Sequence, residues 1–335
     1  MILVTGGTGF VGAYLLAELA GQDKPVKALK RAKSSTAYAE RIFEMRYGAE
    51  AKTKFARITW VEGDIMDVYS VEEAMADIDE VYHCATEVSL RDDRPDEIIH
   101  TAEKGTANVV NIALEKGVKK FCHVSSVSAL GEDDKGKDIT EEAFEEFKYS
   151  NSPYAIGKHL AEAQVWRAHA EGLNVVVVCP TLIMGPWPGK KGTMSFFHFL
   201  RKSHTFYTTG SMGFVDVKDV VTIMLRLMNE NKMNERYIVT AENIAFKDFF
   251  ADVTKSMGLK PPGIRISKTG LNIFRVINNV IGGSKITSTM VNHSSGTFNY
   301  NNKKVVKDLD YKFKPIKESI AEMASFFLQK KEITN

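Results

Sequence analysis

The chain has 335 residues, of which 44% are hydrophobic and 26% charged, with a formal net charge of +2. That balance fits an ordinary soluble globular protein of one large or two smaller domains, and leaves no general attraction for nucleic acid or membrane. No apolar run reaches the roughly eighteen residues that a spanning helix needs, and the chain opens directly on an apolar strand-like run, so a cytoplasmic protein is expected.

Residues 2–4 are apolar and read as a buried strand. Thr5-Gly6-Gly7-Thr8-Gly9-Phe10-Val11-Gly12 follows at once, and Leu15, Leu16, Leu19 and Ala20 then recur at helical spacing. Strand, tight turn and helix form the context in which a glycine fingerprint is credible. Gly6 permits the turn, Gly9 lets backbone approach a pyrophosphate, and Gly12 lets the helix pack close. The helix N-terminus offers free N–H groups to phosphate. A glycine-rich turn without a ligand is the plain alternative.

The second strand, near 26–29, runs into Lys30-Arg31-Ala32-Lys33-Ser34. An acid is expected there in an NAD site, where it bonds the ribose hydroxyls. None is present. Arg31 could instead grip a 2′-phosphate through two hydrogen bonds, helped by Lys30, Lys33 or Ser34. The cofactor expected is therefore NADP(H), with NAD(H) as the other possibility. Solvated charges at a strand end are the alternative reading.

Further strand-like runs fall near 58–61, 80–83, 121–124 and 175–179, with helical stretches between them. This alternation argues for an α/β Rossmann fold, a doubly wound parallel sheet with helices on both faces. Ligands bind such sheets past the carboxyl ends of the strands, and Gly6, Asp64, Ala85, Ser126 and Pro180 all fall there. Cys84, Cys122 and Cys179 sit in apolar runs and read as buried thiols rather than disulfides or metal ligands. His83 reads as a satisfied strand histidine.

Tyr154-Ala-Ile-Gly-Lys158 opens a helical stretch that continues to Trp166. Four residues apart, tyrosine and lysine share one helix face. A nearby ammonium would favour the phenolate, so the tyrosine could give or take a proton near neutral pH. A surface pair on an ordinary helix is the alternative, and the glycine motif argues against it.

After Pro180 the pattern changes. A loop spans 185–192, and 195–200 is strongly aromatic. Residues 216–230 look helical and 237–240 look like a strand. The stretch 270–281 is apolar but interrupted by Arg275 and asparagines; packing over a substrate pocket is expected, with a membrane-surface helix as the alternative.

These segments, together with Gly63-Asp64-Ile65, Val81-Tyr82-His83-Cys84-Ala85-Thr86, Val124-Ser125-Ser126, the run 179–186 and the run 214–220, resemble the extended short-chain dehydrogenase/reductase family over nearly the whole chain. The likeness is to its dihydroflavonol-reductase-like branch. The resemblance implies a nucleotide domain of 1–180 plus about 212–242, and a smaller, mostly helical substrate domain of 181–211 and 243–330. It implies a catalytic Ser126, with Ser125 and Ser128 as neighbours, beside Tyr154 and Lys158. It implies that Asp64 and Ile65 border the adenine, that Ala85 and Thr86 line the path to the nicotinamide, that Pro180 touches the cofactor, and that Lys158 also holds the ribose. It further implies a possible homodimer through helices near 97–116 and 153–171. The family's asparagine before Gly105-Thr106 is absent, and Ala102 opens that stretch.

The family also contains sugar-nucleotide dehydratases and epimerases. Dehydratases carry an Asp-Glu pair where this chain has Val127-Ser128. Epimerases often carry Arg and Asn where it has Cys179 and Leu182, and a later Arg where it has Met212. With Phe196, Phe197 and Phe199 nearby, an apolar carbonyl compound is the substrate expected; simple core aromatics are the alternative. The expectation is an NADPH-dependent carbonyl reductase or alcohol dehydrogenase, then a sugar-nucleotide epimerase, then a non-catalytic NADP(H) sensor.

Overall fold

The computed structural model describes residues 1–22, 24–86, 94–131, 138–143, 152–189, 192–273 and 288–332. In chain order the strands are β1 (Ile2–Thr5), β2 (Val26–Lys30), β3 (Ile58–Glu62), β4 (Glu80–His83), β5 (Lys120–Val124), β6 (Val175–Pro180), β7 (Leu182–Met184), β8 (Phe206–Tyr207), β9 (Ser211–Asp216), β10 (Glu235–Val239), β11 (Glu242–Ala245) and β12 (Ile264–Arg265). The helices that matter for the site are α1 (Phe10–Leu19), α2 (Ala37–Tyr47), α3 (Ala51–Phe55), α4 (Val68–Ala74), α5 (Pro95–Glu115), α6 (Pro153–Ala170), α7 (Met194–Lys202), α8 (Val217–Asn229) and α9 (Phe246–Ser256). A helix at Ile316–Glu332 closes the described chain.

Seven strands form one sheet in the order β3-β2-β1-β4-β5-β6-β10, every pair parallel. A parallel sheet covered on both faces needs strands that are apolar throughout. β6 shows this most clearly: Val-Val-Val-Val-Cys-Pro is buried at every position. Successive residues serve opposite faces. Leu3, Val81, Phe121, Val175 and Val177 join the core under α4–α6. Ile2, Val4, Cys122, Val176 and Val178 join the core under α1, α2 and α8. Strand order reverses direction at β1 and β4, so the crevice opens beside the turn after β1.

The helical pattern at 216–230 and the strand-like pattern at 237–240 correspond to α8 and β10, and β10 pairs with β6 at the edge of this sheet. The remainder contains more strand than expected. β7 and β11 flank β9 in a three-stranded sheet, and β8 pairs with β12. These strands, apart from β9, are two to four residues long, too short to show a period in sequence. Of the stretch 270–281, residues 274–281 lie outside the described residues. No helix among the described residues is long and apolar enough to cross a membrane.

Candidate active site

The turn after β1 is built by its glycines. Gly6 has φ of 71°, and a Cβ on it would stand 2.6 Å from the Ala85 nitrogen. A Cβ on Gly12 would run into the Gly6 carbonyl oxygen. Gly9 is exposed, donates a 2.9 Å hydrogen bond to the Gly6 oxygen, and would meet only that oxygen, at 3.2 Å, if it carried a Cβ. Its outer side is therefore open to a ligand. α1 starts at Phe10 with no acidic residue in its first turn, so its dipole and free N–H groups face outward unopposed. Thr8, Phe10 and Val11 are partly exposed around this N-terminus. The residues fit a pyrophosphate at this position.

Three aromatic rings close one side of the turn. Trp187 packs against Phe10 (centroids 5.3 Å apart) and Tyr38 (5.1 Å), while the Tyr14 hydroxyl donates to the Pro186 oxygen at 2.7 Å. Arg31 stands exposed at the end of β2, where Ser34 N donates to the Arg31 oxygen at 2.8 Å and tightens the turn.

At the ends of β3 and β4 a polar chain holds the crevice wall. The Asp64 carboxylate accepts from Met66 N at 3.0 Å, and Asn108 Nδ2 donates to the Ile65 oxygen at 2.9 Å. Gly105 on α5 makes room for Ile65, whose Cδ1 would lie 2.5 Å from an added Cβ. Ala85 N donates to Thr5 Oγ1 at 3.3 Å, the same hydroxyl pairs with His83 Nδ1 at 2.7 Å, and His83 Nε2 pairs with Thr106 Oγ1 at 3.1 Å. His83 is thus a satisfied strand histidine. Burial, then the charge of Lys158, pushes it down to about 3, so it is neutral at ordinary pH. Thr86 is partly exposed beside Ala85.

Ser126 follows β5 and caps a short 3-10 turn, its hydroxyl accepting from Ser128 N at 3.1 Å. Ser126 lies close enough to Tyr154 to act on its phenol. α6 carries Tyr154 and Lys158 one turn apart, and Gly157 between them lets α6 sit against α5: an added Cβ would stand 3.0 Å from Ala102 Cβ. Lys158 is 3% exposed and its Nζ donates to the Val124 oxygen at 2.7 Å. Burial pushes its ammonium down to about 8, against the opposing fields of Cys84, Cys179 and Glu162. Pro180 ends β6 in the same row.

The protonation of Tyr154 differs from the expectation. Burial raises its pKa above the ordinary tyrosine value, and Ser126, not the charge of Lys158, is what opposes the rise. The reason is where Lys158 points: its ammonium is committed to the backbone of β5.

The aromatic run at 195–200 divides. Phe197 is fully buried against Phe327, and Phe196 packs edge-on to Phe249 (5.3 Å), so both belong to the core; Phe199 is 56% exposed. Val127, Cys179 and Met212, the residues at the family's polar positions, are buried among apolar side chains. Sequence reasoning missed the partners under the site. Glu162 is fully buried and binds Ser125 and, from β10, Arg236. Its spacing of four from Lys158 was the available signal. Among the described residues no group of three acidic, histidine or cysteine side chains could hold a metal ion.

A family model described as the NAD dependent epimerase/dehydratase family matches residues 2–240. A Synechocystis sp. protein provisionally named dihydroflavonol 4-reductase is 29% identical over 266 residues, which cover 77% of this chain and 73% of that one. Cinnamoyl-CoA reductase 1 of Petunia hybrida is 26% identical over 340 residues, covering 98% and 92%. The solved UDP-glucose 4-epimerase of Thermotoga maritima, with UDP-glucose, superposes at a TM-score of 0.78 with 19% identity, covering 98% of this chain and 99% of that one.

Proposed function

The chain belongs to the NAD dependent epimerase/dehydratase family, and from that premise we propose that it is an NADPH-dependent reductase of a small, largely apolar carbonyl compound, or the dehydrogenase of the corresponding alcohol. The observation that carries this reading is the convergence of Ser126, at the end of β5, with Tyr154 and a buried Lys158 one turn apart on α6. A bound nicotinamide supplies the hydride, or takes it up in the reverse direction. The protein's part is the proton.

Tyr154 Oη is the proton donor to the carbonyl oxygen. Its raised pKa keeps the phenol protonated at neutral pH, which suits donation to an oxygen that is gaining charge. The Ser126 hydroxyl donates to that same oxygen and orients it. The Lys158 ammonium, held at the end of β5 by the Val124 oxygen, bonds the ribose hydroxyls. Arg31 grips the 2′-phosphate of NADPH, Gly9 and the start of α1 the pyrophosphate, and Asp64, Ile65, Ala85, Thr86 and Pro180 line the rest of the crevice.

Relatives named for dihydroflavonol and cinnamoyl-CoA support a carbonyl substrate with an apolar body. The weakly polar Cys179 and the apolar Met212, at positions where epimerases often carry arginine, support it over a nucleotide sugar. The test is NADPH consumption against apolar aldehydes and ketones, with UDP-glucose alongside and Tyr154→Phe as control. Turnover of a carbonyl, lost in Tyr154→Phe with NADPH affinity kept, is expected. Conversion of UDP-glucose alone would move the protein to the epimerases, and binding of NADPH with no turnover to the sensors.

A further inference from the structure

Glu162 lies on α6 one turn beyond Lys158, is 0% exposed, and has no task in the proton transfer just described. Its carboxylate is saturated. Oε1 accepts from Arg236 Nε at 2.5 Å and Trp166 Nε1 at 3.0 Å; Oε2 accepts from the Ser125 hydroxyl at 2.5 Å and the Cys179 thiol at 3.8 Å. Arg236 and Trp166 can only donate, so this donor set requires an acceptor-only carboxylate. Stability alone is a poor reason to keep such a group, because a buried ion pair is commonly no better than apolar residues of equal volume.

Its partners give the reason. Ser125 immediately precedes Ser126, and Cys179 immediately precedes Pro180, so the carboxylate holds the ends of two adjacent strands at the crevice. Arg236 Nη1 continues to the Glu141 oxygen at 2.9 Å, and Glu141 Oε1 accepts from Ile238 N at 2.8 Å, which ties β10 and the segment 138–143 to the same centre.

The charge of Glu162 also reaches Lys158. The groups coupled to it electrostatically are His83 from β4, Cys84 just past that strand, His123 from β5, Cys179 from β6 and Glu162 from α6. The fields of Cys84 and Cys179 require thiolates, yet burial pushes Cys84 up to about 12 and Cys179 well above its usual value. Both imidazoles are held neutral by burial. With those thiols and imidazoles neutral, the carboxylate that the donors around Glu162 require is the negative charge of this set.

We infer that Glu162 is a positioning residue of the active site: through Ser125 it fixes the turn that presents the Ser126 hydroxyl, and its negative charge counterbalances the buried Lys158 ammonium. The inference rests on the roles proposed above for Ser126 and Lys158.

The test compares wild type, Glu162→Gln and Ser125→Ala in two measurements. One is the pH titration of Lys158, followed by NMR of 13Cε-labelled lysine, with Lys158→Arg identifying the signal. The other is NADPH oxidation with cinnamaldehyde. Glu162→Gln keeps the volume but turns an acceptor into a donor among donors. Its Lys158 midpoint is expected to fall by about one pH unit, a tenfold change in protonation equilibrium, and kcat about tenfold, with KM for NADPH little changed. Ser125→Ala is expected to lower kcat several-fold and leave the Lys158 midpoint in place. A folded Glu162→Gln protein with an unmoved Lys158 midpoint overturns the inference, as does an unchanged kcat in Ser125→Ala. Should Glu162→Gln fail to fold, Glu162→Asp replaces it, since a charge retracted by one methylene moves the midpoint the same way; no movement has the same consequence. A wild type that turns over no carbonyl counts against the reductase reading, and the lysine titration then decides on Glu162 alone.

Discussion

Lys158 Nζ donates a 2.7 Å hydrogen bond to the carbonyl oxygen of Val124, so the one buried ammonium of α6 is tied to the strand that delivers Ser126. The arrangement costs stability. Burial lowers the Lys158 pKa from 10.5 to about 8, a difference of about 3 kcal/mol. Between those two pH values the unfolded chain holds the proton more tightly, so stability should rise with pH across that window. Below about 8 the full penalty is present.

Lys158→Met should therefore stabilise the apo protein at pH 7 while abolishing turnover. The gain is the burial penalty less the cost of leaving the Val124 oxygen without its donor, about 1–2 kcal/mol net. It should shrink at pH 10, where the wild-type lysine is already losing its proton. Urea unfolding at the two pH values measures both quantities. A variant less stable than wild type at pH 7 would contradict the account.

Gly12 is the position where a single methyl group should do most harm. Its Cβ would meet backbone at Gly6 and Gly7, which cannot swing aside as a side chain can. Gly12→Ala should cost about 1–3 kcal/mol by overpacking, and should weaken NADPH binding by displacing the turn. Gly48 has φ of 53° and open space around it, so Gly48→Ala should carry only backbone strain and leave NADPH binding alone. Thermal melts with and without NADPH separate the two.

The parts of this molecule that were legible in sequence are those written in consecutive residues. Buried parallel strands are apolar throughout, so β1 to β6 stand out as runs, and the turn after β1 announces itself by its glycines. Tyr154 and Lys158 declare a shared face by their spacing. The direction of the Lys158 ammonium was not legible, because its acceptor is a backbone oxygen 34 residues away. Nor was the Glu162–Arg236 pair, 74 residues apart and joined only because β10 returns to the edge of the sheet beside β6. Phe197 could be read as pocket or core, and only the helix at Ile316–Glu332, which brings Phe327 against it, decides for core.

His83 and His123 stack at 5.4 Å in the core between β4, β5 and α5–α6, and both are neutral. His83 is held down to about 3 against an ordinary 6.5. As pH falls below 6.5 the unfolded chain takes up the proton and the folded one does not, so stability should fall steadily toward pH 3. His123 adds to the same loss. Its two ring nitrogens have no partner among the described residues although the ring is 1% exposed. His123→Phe should thus be neutral to stabilising by about 1 kcal/mol at pH 7, and should flatten the acid limb. Thr106→Val, which strips His83 Nε2 of its partner, should instead cost about 1–3 kcal/mol. Unfolding midpoints at pH 7 and pH 5 for the two variants test the pair in opposite directions.

The proposed role of Arg31 is to choose between the nucleotides, and it can be tested directly. The second strand ends in Lys30-Arg31 with no acid to repel a 2′-phosphate, and the Ser34-to-Arg31 backbone bond gathers Arg31, Lys33 and Ser34 on one turn. An exposed guanidinium that meets a phosphate in two parallel hydrogen bonds contributes through charge-assisted bonds. Arg31→Asp removes that contact and adds repulsion, so NADPH affinity should fall about 10- to 100-fold. NADH affinity should hold or rise, because the new carboxylate can accept from the ribose hydroxyls. Salt gives an independent check: the wild-type preference for NADPH should narrow as ionic strength rises, since the contact sits at the surface. Fluorescence titration of both cofactors measures all of this. Equal losses for NADPH and NADH would return Arg31 to a solvated charge at a strand end.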